Sequence, residues 1–305
     1  MLSACGRMTA GLVVAVGALL GSVTPARANA VLLAAGDIGK CTDVGERGPY
    51  LTADLLARRP EATILALGDL AYGHGTAAEF ANCYGPTWGR FKDRTRPVPG
   101  NHEYQTAGAS GYFGYWGPQA RPDGHSYYSF DLSDWHLVAL DTNLDVSADS
   151  AQARWLRSDL AGSAARCKLA FFHHPRFSSG MHGDSPEMGA IFRILYDARV
   201  SVALAGHDHH YERFAPLDPS GEVEPTRGVR SFVVGTGGGR LRALEGIPRP
   251  GSEARDVGTK GVLQLVLRAD GYDWAFLPVD GASYSDSGSG TCVPAGEGAN
   301  EGPYG

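Results

Sequence analysis

The chain has 305 residues, 43% of them hydrophobic, and carries 27 basic against 33 acidic side chains for a formal charge of −6. That length holds one large domain or two small ones, and the acidic balance, with no cluster of Lys or Arg, excludes the basic surface of a nucleic-acid binder. No internal repeat or heptad run is present, which excludes solenoids and coiled coils.

The N-terminus reads as a secretory leader. Arg7 and the amino terminus form a positive region, Leu12 to Leu20 an apolar core, and Ala26-Arg27-Ala28 or Ala28-Asn29-Ala30 a small-residue cleavage site. A membrane span needs about 20 apolar residues, more than this run or any later one offers. The expectation is a protein secreted or held in the periplasm or cell envelope, with residues 1–30 removed and no span left. Cys5 leaves with the leader, and Cys41, Cys83, Cys167 and Cys292 remain, an even set that suits an oxidising compartment. Sequence does not select their pairing. Cys41 with Cys83 is expected, because both lie in loops soon after the first two motif strands.

An apolar run over 31–35 reads as a buried strand ending in Gly36-Asp37. A helix is predicted over about 46–59, with Leu51 and Leu55 inward and Pro60 as its stop. A second buried strand, 62–67, ends in Gly68-Asp69-Leu70-Ala71-Tyr72. This is a βαβ unit with one acid at each strand tip, where open α/β sheets bind their ligands. A third edge follows at Gly100-Asn101-His102-Glu103, where Asn101 offers a carbonyl oxygen and His102 an imidazole. It is not a zincin helix, since no second His follows at the required spacing.

Residues 104–126 form an aromatic, Gly-rich stretch that either packs on itself or walls a substrate pocket. A hairpin is predicted from 127–131 and 135–141, turning at Ser133-Asp134. Ser147 is expected to cap a helix reaching about Leu160, with Leu156 and Leu160 inward. The strand 168–172 ends in His173-His174-Pro175, and a polar loop carries His182. Ser185 and Pro186 open a helix whose apolar face is Met188, Ile191, Phe192 and Leu195. The strand 200–205 runs into Gly206-His207-Asp208-His209-His210. Alternate side chains of extended backbone share a face, so His207 and His209 can serve one site.

Strands at 229–234, 263–267 and 273–277 complete the scaffold. Gly235 to Arg240 lacks the Lys-Ser/Thr of a phosphate loop and reads as a tight turn. From 282 the composition is that of a disordered tail, apart from Cys292 if it is bridged. The catalytic domain is therefore placed at 31–281 and the tail at 282–305.

Phosphate-ester hydrolysis is slow in water and builds up charge that a metal pair can neutralise. Asp69 is the natural bridge between two ions. Asp37, Tyr72 and His209 complete one shell, and Asn101, His173 and His207 the other. Mixed oxygen and nitrogen donors suit iron, zinc or manganese over calcium. His174 and His210 read as supporting residues, Asp208 and Glu212 as local hydrogen-bonding groups, and His74, His125 and His136 as ordinary loop or strand residues.

In order, Gly36-Asp37, Gly68-Asp69-Leu70-Ala71-Tyr72, Gly100-Asn101-His102-Glu103, Phe172-His173-His174-Pro175 and Gly206-His207-Asp208-His209 resemble the five motif blocks of the calcineurin-like metallophosphoesterases. Tyr72 and Tyr211-Glu212-Arg213 are similar to the purple acid phosphatase branch. The resemblance implies an α/β (α+β) fold, a four-layer αββα sandwich of two mixed sheets flanked by helices. It implies two metal ions, Fe(III) at Asp37, Asp69, Tyr72 and His209, and Zn, Mn or Fe(II) at Asp69, Asn101, His173 and His207. It assigns His102 to substrate phosphate and places His182 near a family His that protonates the leaving group; Asn101 is expected to orient the phosphate together with His102. Against the plant enzymes' pattern, no counterpart of their extra N-terminal β domain is expected, which leaves their dimer and substrate range uncarried here. The expected activity is hydrolysis of phosphate monoesters on a small phosphorylated substrate, by in-line attack of a metal-held hydroxide. A phosphodiesterase or nucleotide hydrolase on the same metals and a noncatalytic phosphate- or metal-binding protein are the alternatives. The His207-Asp208-His209-His210 order does not fit a metallo-β-lactamase-type hydrolase, and the oligomeric state is left open.

Overall fold

The structure is a computed structural model that describes residues 1–2, 28–40, 47–244 and 246–294; residues 3–27 of the expected leader and Cys41 lie outside them. The first half of the chain supplies β1 (Ala30–Ala35), β2 (Gly39–Lys40), α1 (Gly48–Ala57), β3 (Thr63–Leu67), β4 (Ala71–Tyr72), α2 (Ala77–Glu79), β5 (Thr95–Val98) and α3 (Ser110–Trp116). Next come β6 (Tyr128–Leu132), β7 (Trp135–Ala139), α4 (Ala151–Gly162), β8 (Cys167–Phe171), α5 (Gly189–Asp197) and β9 (Val202–Ala205). The remainder is all strand: β10 (Tyr211–Leu217), β11 (Val229–Val234), β12 (Ser252–Asp256), β13 (Gly261–Leu267), β14 (Gly271–Pro278) and β15 (Ser287–Thr291).

One six-stranded sheet has the order β15-β14-β13-β1-β3-β5 and a seven-stranded one the order β12-β10-β11-β9-β8-β7-β6. Both mix parallel and antiparallel pairs. Strand alternation assigns side chains to layers. Leu137 and Ala139 join Leu65, Leu263 and Phe232 in the core between the sheets, while Val138, Ala170 and Ala203 turn outward against Leu156 of α4 and Ile191 and Phe192 of α5. Burial on both faces is why these strands read as unbroken apolar runs. Helix α1 buries Thr52, Ala53 and Leu56 on the outer side of the first sheet, giving four layers.

Helix α4 starts later than predicted. Ser150, not Ser147, accepts from Ala153 N at 3.1 Å; Ser147 lies in the preceding turn, its N–H donating to Asp145 Oδ1 at 2.9 Å and its carbonyl accepting from Ser150 N at 3.1 Å. Of the two readings of 104–126, the self-packed one is found: Tyr115 stacks on Phe80 at 5.0 Å and Trp116 packs edge-on to Tyr84 at 5.7 Å.

The segment from 282 is not a disordered tail through Pro294. Ser287–Thr291 pairs antiparallel with β14, placing Gly288 opposite Trp274 and Gly290 opposite Tyr272. A Cβ at these glycines would lie 2.4 Å from the Trp274 ring and 2.5 Å from the Tyr272 ring. The glycines that gave the segment its low-complexity look are there to clear two aromatic rings. A disulfide from Cys167 to Cys292 closes the end, and Asp286 accepts from Tyr211 Oη at 2.7 Å and Arg213 Nε at 2.8 Å. Replacing both cysteines with Ser is expected to lower unfolding free energy by about 2–4 kcal/mol. Denaturant unfolding checks this, with hydrogen exchange rising first in β15.

His136 is not an ordinary strand residue: its ring nitrogens lie 2.8 Å from Asp131 and 2.7 Å from Asp159. The Asp159 contact, opposed by burial and aided by Asp131, raises its pKa above the usual 6.5. A raised folded-state pKa contributes stability fully present below the unfolded value of about 6.5 and lost as pH climbs through the folded value. His136→Gln should therefore reduce stability at pH 5–6 and flatten the decline above pH 6.5, read from melts across pH.

Candidate metal centre

The C-terminal ends of β1, β3, β5, β8 and β9 meet at one edge. Asp37 N–H donates to Gly68 O, Gly36 N–H to Val234 O and Gly206 N–H to His173 O, so the loops of both sheets are tied together there. Asp37, Asp69 and His207 adopt φ of 60°, 50° and 71°. L-residues visit this left-handed region at a cost of roughly 1–2 kcal/mol, and such strain collects at functional sites.

The donors form two contiguous groups. Tyr72 Oη donates to Asp37 Oδ1 at 2.7 Å and lies 3.0 Å from His209 Nε2, which is itself 3.2 Å from Asp37 Oδ1. Asn101 Oδ1 lies 3.1 Å from His173 Nε2 and 3.0 Å from His207 Nδ1. Asp69 Oδ1 is 3.4 Å from His173 Nε2, and ligand atoms of Asp37, Asp69 and His173 fall within 4.8 Å of one another. Asp69 thus stands between the groups. All of the predicted ligands are brought together.

The chemistry of this set calls for cations. His173 Nδ1 donates to Leu67 O at 2.8 Å, so its Nε2 is the atom facing Asp69, Asn101 and, at 3.3 Å, His207 Nδ1. In neutral imidazole that nitrogen is a lone pair among other lone pairs. Burial opposes a charge on His173, yet Asp69 and then Asp37 outweigh it and lift its pKa to about 9. Asp69 is depressed despite its own burial, by His173 and then His102. The mixed oxygen and nitrogen donors fit two metal ions. His174 is closer to the centre than the sequence reading put it: one of its nitrogens lies within 4.8 Å of those of His173 and His207. Burial and the His173 charge lower its pKa to about 3, so it is neutral, with Nδ1 2.7 Å from Thr142 Oγ1.

Glycines clear the space for these contacts. A Cβ on Gly100 would sit 2.1 Å from Asp69 Oδ1, and one on Gly68, at φ 83°, 2.5 Å from His173 Nδ1. The sequence pattern gives Glu103 no role of its own. It is fully buried, and its carboxylate accepts from Asp69 N and Leu70 N at 2.9 Å, Ala71 N at 3.2 Å and Gly100 N at 2.7 Å. It is what locks the Asp69 loop to the Asn101 loop. No periodicity or spacing marks it.

The family model for calcineurin-like phosphoesterases matches residues 26–211. The chain belongs to that family, in its purple acid phosphatase-like branch. It is 32% identical over 236 residues to purple acid phosphatase 21 of Arabidopsis thaliana, covering 68% of this chain and 49% of that protein. The chain thus spans about half the length of that relative. A purple acid phosphatase from yellow lupin (Lupinus luteus) seeds superposes with a TM-score of 0.69 at 20% identity, over 86% of this chain and 54% of that one. GAP50, the anchor in the inner membrane complex of Plasmodium, superposes at 0.66 with 17% identity, over 88% of this chain and 90% of that one. Family membership implies a dinuclear metal centre, and the Asp/His groups above are where this chain can hold it.

Beside the centre runs a cleft of about 650 Å³ lined by Tyr72, His102, His209 and Met181 on one side and residues 239–243 on the other. Residues 104–126 take no part in it. A larger hollow of about 980 Å³ lies beside Trp135 and His136 at the start of β7, away from this sheet edge, and none of the ligand residues lines it. The Gly-rich run after β11 is the expected turn, and it grips the site: Gly239 N–H donates to Asp37 O, Arg240 O accepts from His209 Nδ1 at 2.7 Å, and Arg242 N–H donates to His209 O at 2.9 Å. The bond to Arg240 O leaves His209 Nε2 for the metal side. His102 Nδ1 is 2.6 Å from Gly73 O, and its ring packs on Tyr72 at 4.5 Å. His182 packs on His207 with ring centroids 4.4 Å apart, its backbone N–H donating to Asp208 Oδ1 at 2.9 Å. His210 and Glu212 are supporting residues: His210 Nε2, Ser179 and Ser252 all bond the Glu212 carboxylate. Among the described residues no helix is long and apolar enough to cross a membrane.

Proposed function

We propose that this chain is an exported phosphatase that hydrolyses phosphate monoesters with two metal ions, one of them ferric iron. The observation that carries the reading is the Asn101 oxygen in contact with both His173 and His207, beside an Asp69 carboxylate that also reaches toward the Asp37–Tyr72–His209 group. Asp37, Asp69, Tyr72 and His209 would hold the ferric ion. Asp69, Asn101, His173 and His207 would hold zinc, manganese or ferrous ion. Together the ions would neutralise phosphoryl charge and make ionised water available near neutral pH.

The protein's own groups do the rest. Burial and then the Asp37 charge push the Tyr72 phenol well above its usual pKa, so the proton it shares with Asp37 must be released when a cation takes its place. Asn101 and His102 orient the phosphate. Arg242 Nη1 lies 3.0 Å from His182 Nε2 and can only donate, which places the His182 proton on Nδ1 as the one available to the leaving oxygen. Export is supported by the apolar N-terminal leader and by the Cys167–Cys292 disulfide, which suits an oxidising compartment.

Metal analysis with a visible spectrum tests the metal assignment. A phenolate-to-iron charge-transfer band that disappears in Tyr72→Phe is expected. A colourless, iron-free and fully active protein would sink the iron site. A panel of monoesters and diesters then tests the substrate class: turnover of diesters alone makes it a diesterase, and turnover of neither by metal-replete protein removes the enzyme reading.

A further inference from the structure

Two arginines line the cleft with no acidic partner among the described residues. Arg58, Arg213, Arg230, Arg249 and Arg268 each bind a carboxylate. Among the described residues, neither Arg240 nor Arg242 has one within ion-pair distance, although both line the cleft beside the candidate metal centre. Arg242 is not a free surface side chain. Its backbone is bonded to His209 O at 2.9 Å, and its Nη1 lies 3.0 Å from His182 Nε2 and 3.8 Å from Met181 Sδ. The loop that carries it is held by Gly239 N–H on Asp37 O and by the His209 ring on Arg240 O. A cation therefore lies one imidazole ring away from His207, the His182 ring packing on it with centroids 4.4 Å apart. Its remaining N–H donors form the planar fork that binds phosphoryl oxygens in pairs.

We propose that Arg242, assisted by Arg240, is a second anion subsite, and that the substrate carries a second phosphoryl group beyond the one held at the metal centre. A di- or triphosphate ester, or a bisphosphate, has this chemistry; a simple monoester has no second phosphoryl group to offer Arg242. The assignment rests on the phosphatase reading for which phosphoryl sits at the metals, and on the cleft alone for what lies beyond it.

Calorimetric titration with methylphosphonate and methylenediphosphonate tests it, on full-length protein whose metal content has been measured. The native protein should bind the diphosphonate at least about tenfold tighter, a factor worth about 1.4 kcal/mol. That ratio should fall to within about threefold in Arg242→Gln, a charge-assisted pair having been lost, and recover in part in Arg242→Lys. Arg240→Gln carries the same comparison if the Arg242 variant does not fold. Equal binding of the two ligands by the native protein, or a ratio unchanged in both Gln variants, overturns the proposal. The ligands do not turn over, so a protein that hydrolyses no ester but keeps the ratio refutes the phosphatase reading and leaves the subsite standing.

Discussion

Asp69→Asn is expected to abolish metal-dependent turnover, lowering kcat/KM on a phosphate monoester by at least about 10²–10³-fold, the range seen when one pre-organised electrostatic contact is removed. The Asn side chain matches Asp in shape and its carbonyl can still accept the His102 N–H that Asp69 Oδ1 holds at 2.9 Å. What it lacks is the charge that faces His173 at 3.4 Å and a second anionic oxygen to share between two ions. Metal content per chain should drop, and the rise in melting temperature that added metal gives the native protein should shrink, since only binding to the folded state stabilises it. A variant with native metal content and native melting behaviour would remove Asp69 from the bridging role.

Glu103→Gln is expected to unfold or loosen the same edge without touching a ligand. Each carboxylate oxygen of Glu103 accepts two backbone N–H groups: Asp69 and Gly100 on Oε2, Leu70 and Ala71 on Oε1. An amide turned either way sets its NH₂ against two of those donors. Each buried donor left unpaired costs about 1–3 kcal/mol, so the loss is about 2–6 kcal/mol. At about 2–4 °C per kcal/mol for a chain of this size, the melting temperature should fall by roughly 4–24 °C, with metal affinity reduced in the same variant. Thermal melts and metal titration read both effects. A melting temperature within about 2 °C of native would show that the Asp69 and Asn101 loops hold together without Glu103. Burial and the nearby Asp69 charge raise the Glu103 pKa while the Gly100 and Ala71 N–H groups oppose that rise, so the four donors are what make an acid tolerable at this depth.

Sequence alone named the candidate ligands that the fold gathers at one edge. Each ligand or pair of ligands follows an apolar strand, and the rule that strand ends gather at one edge of an α/β sheet brings Asp37, Asp69, Asn101, His173, His207 and His209 together before any coordinate is known. The branch was also legible, from Tyr72 and the order of the five blocks. Local signals served less well where chemistry and composition diverge. Ser147 looks like a helix cap, but it is taken into a turn with Asp145 and Ser150, and Ser150 caps instead. The Gly/Ser content beyond 282 looks like disorder until Trp274 and Tyr272 on β14 require glycines opposite them.

Only the tertiary structure decided which residues hold the ligands in place and what shares the site with them. Glu103 acts through backbone N–H groups on two other loops, and no side-chain pattern records a backbone partner. His174 turns out to stand among the donors because β8 brings it beside His207, and nothing in a His-His pair says which ring faces the site. Arg242 lies far along the chain from His182 and reaches it because the glycine run after β11 folds back onto His209. Donor types and strand ends are encoded locally, one residue after another; the clefts and clamps between loops exist only where two sheets bring distant segments into contact.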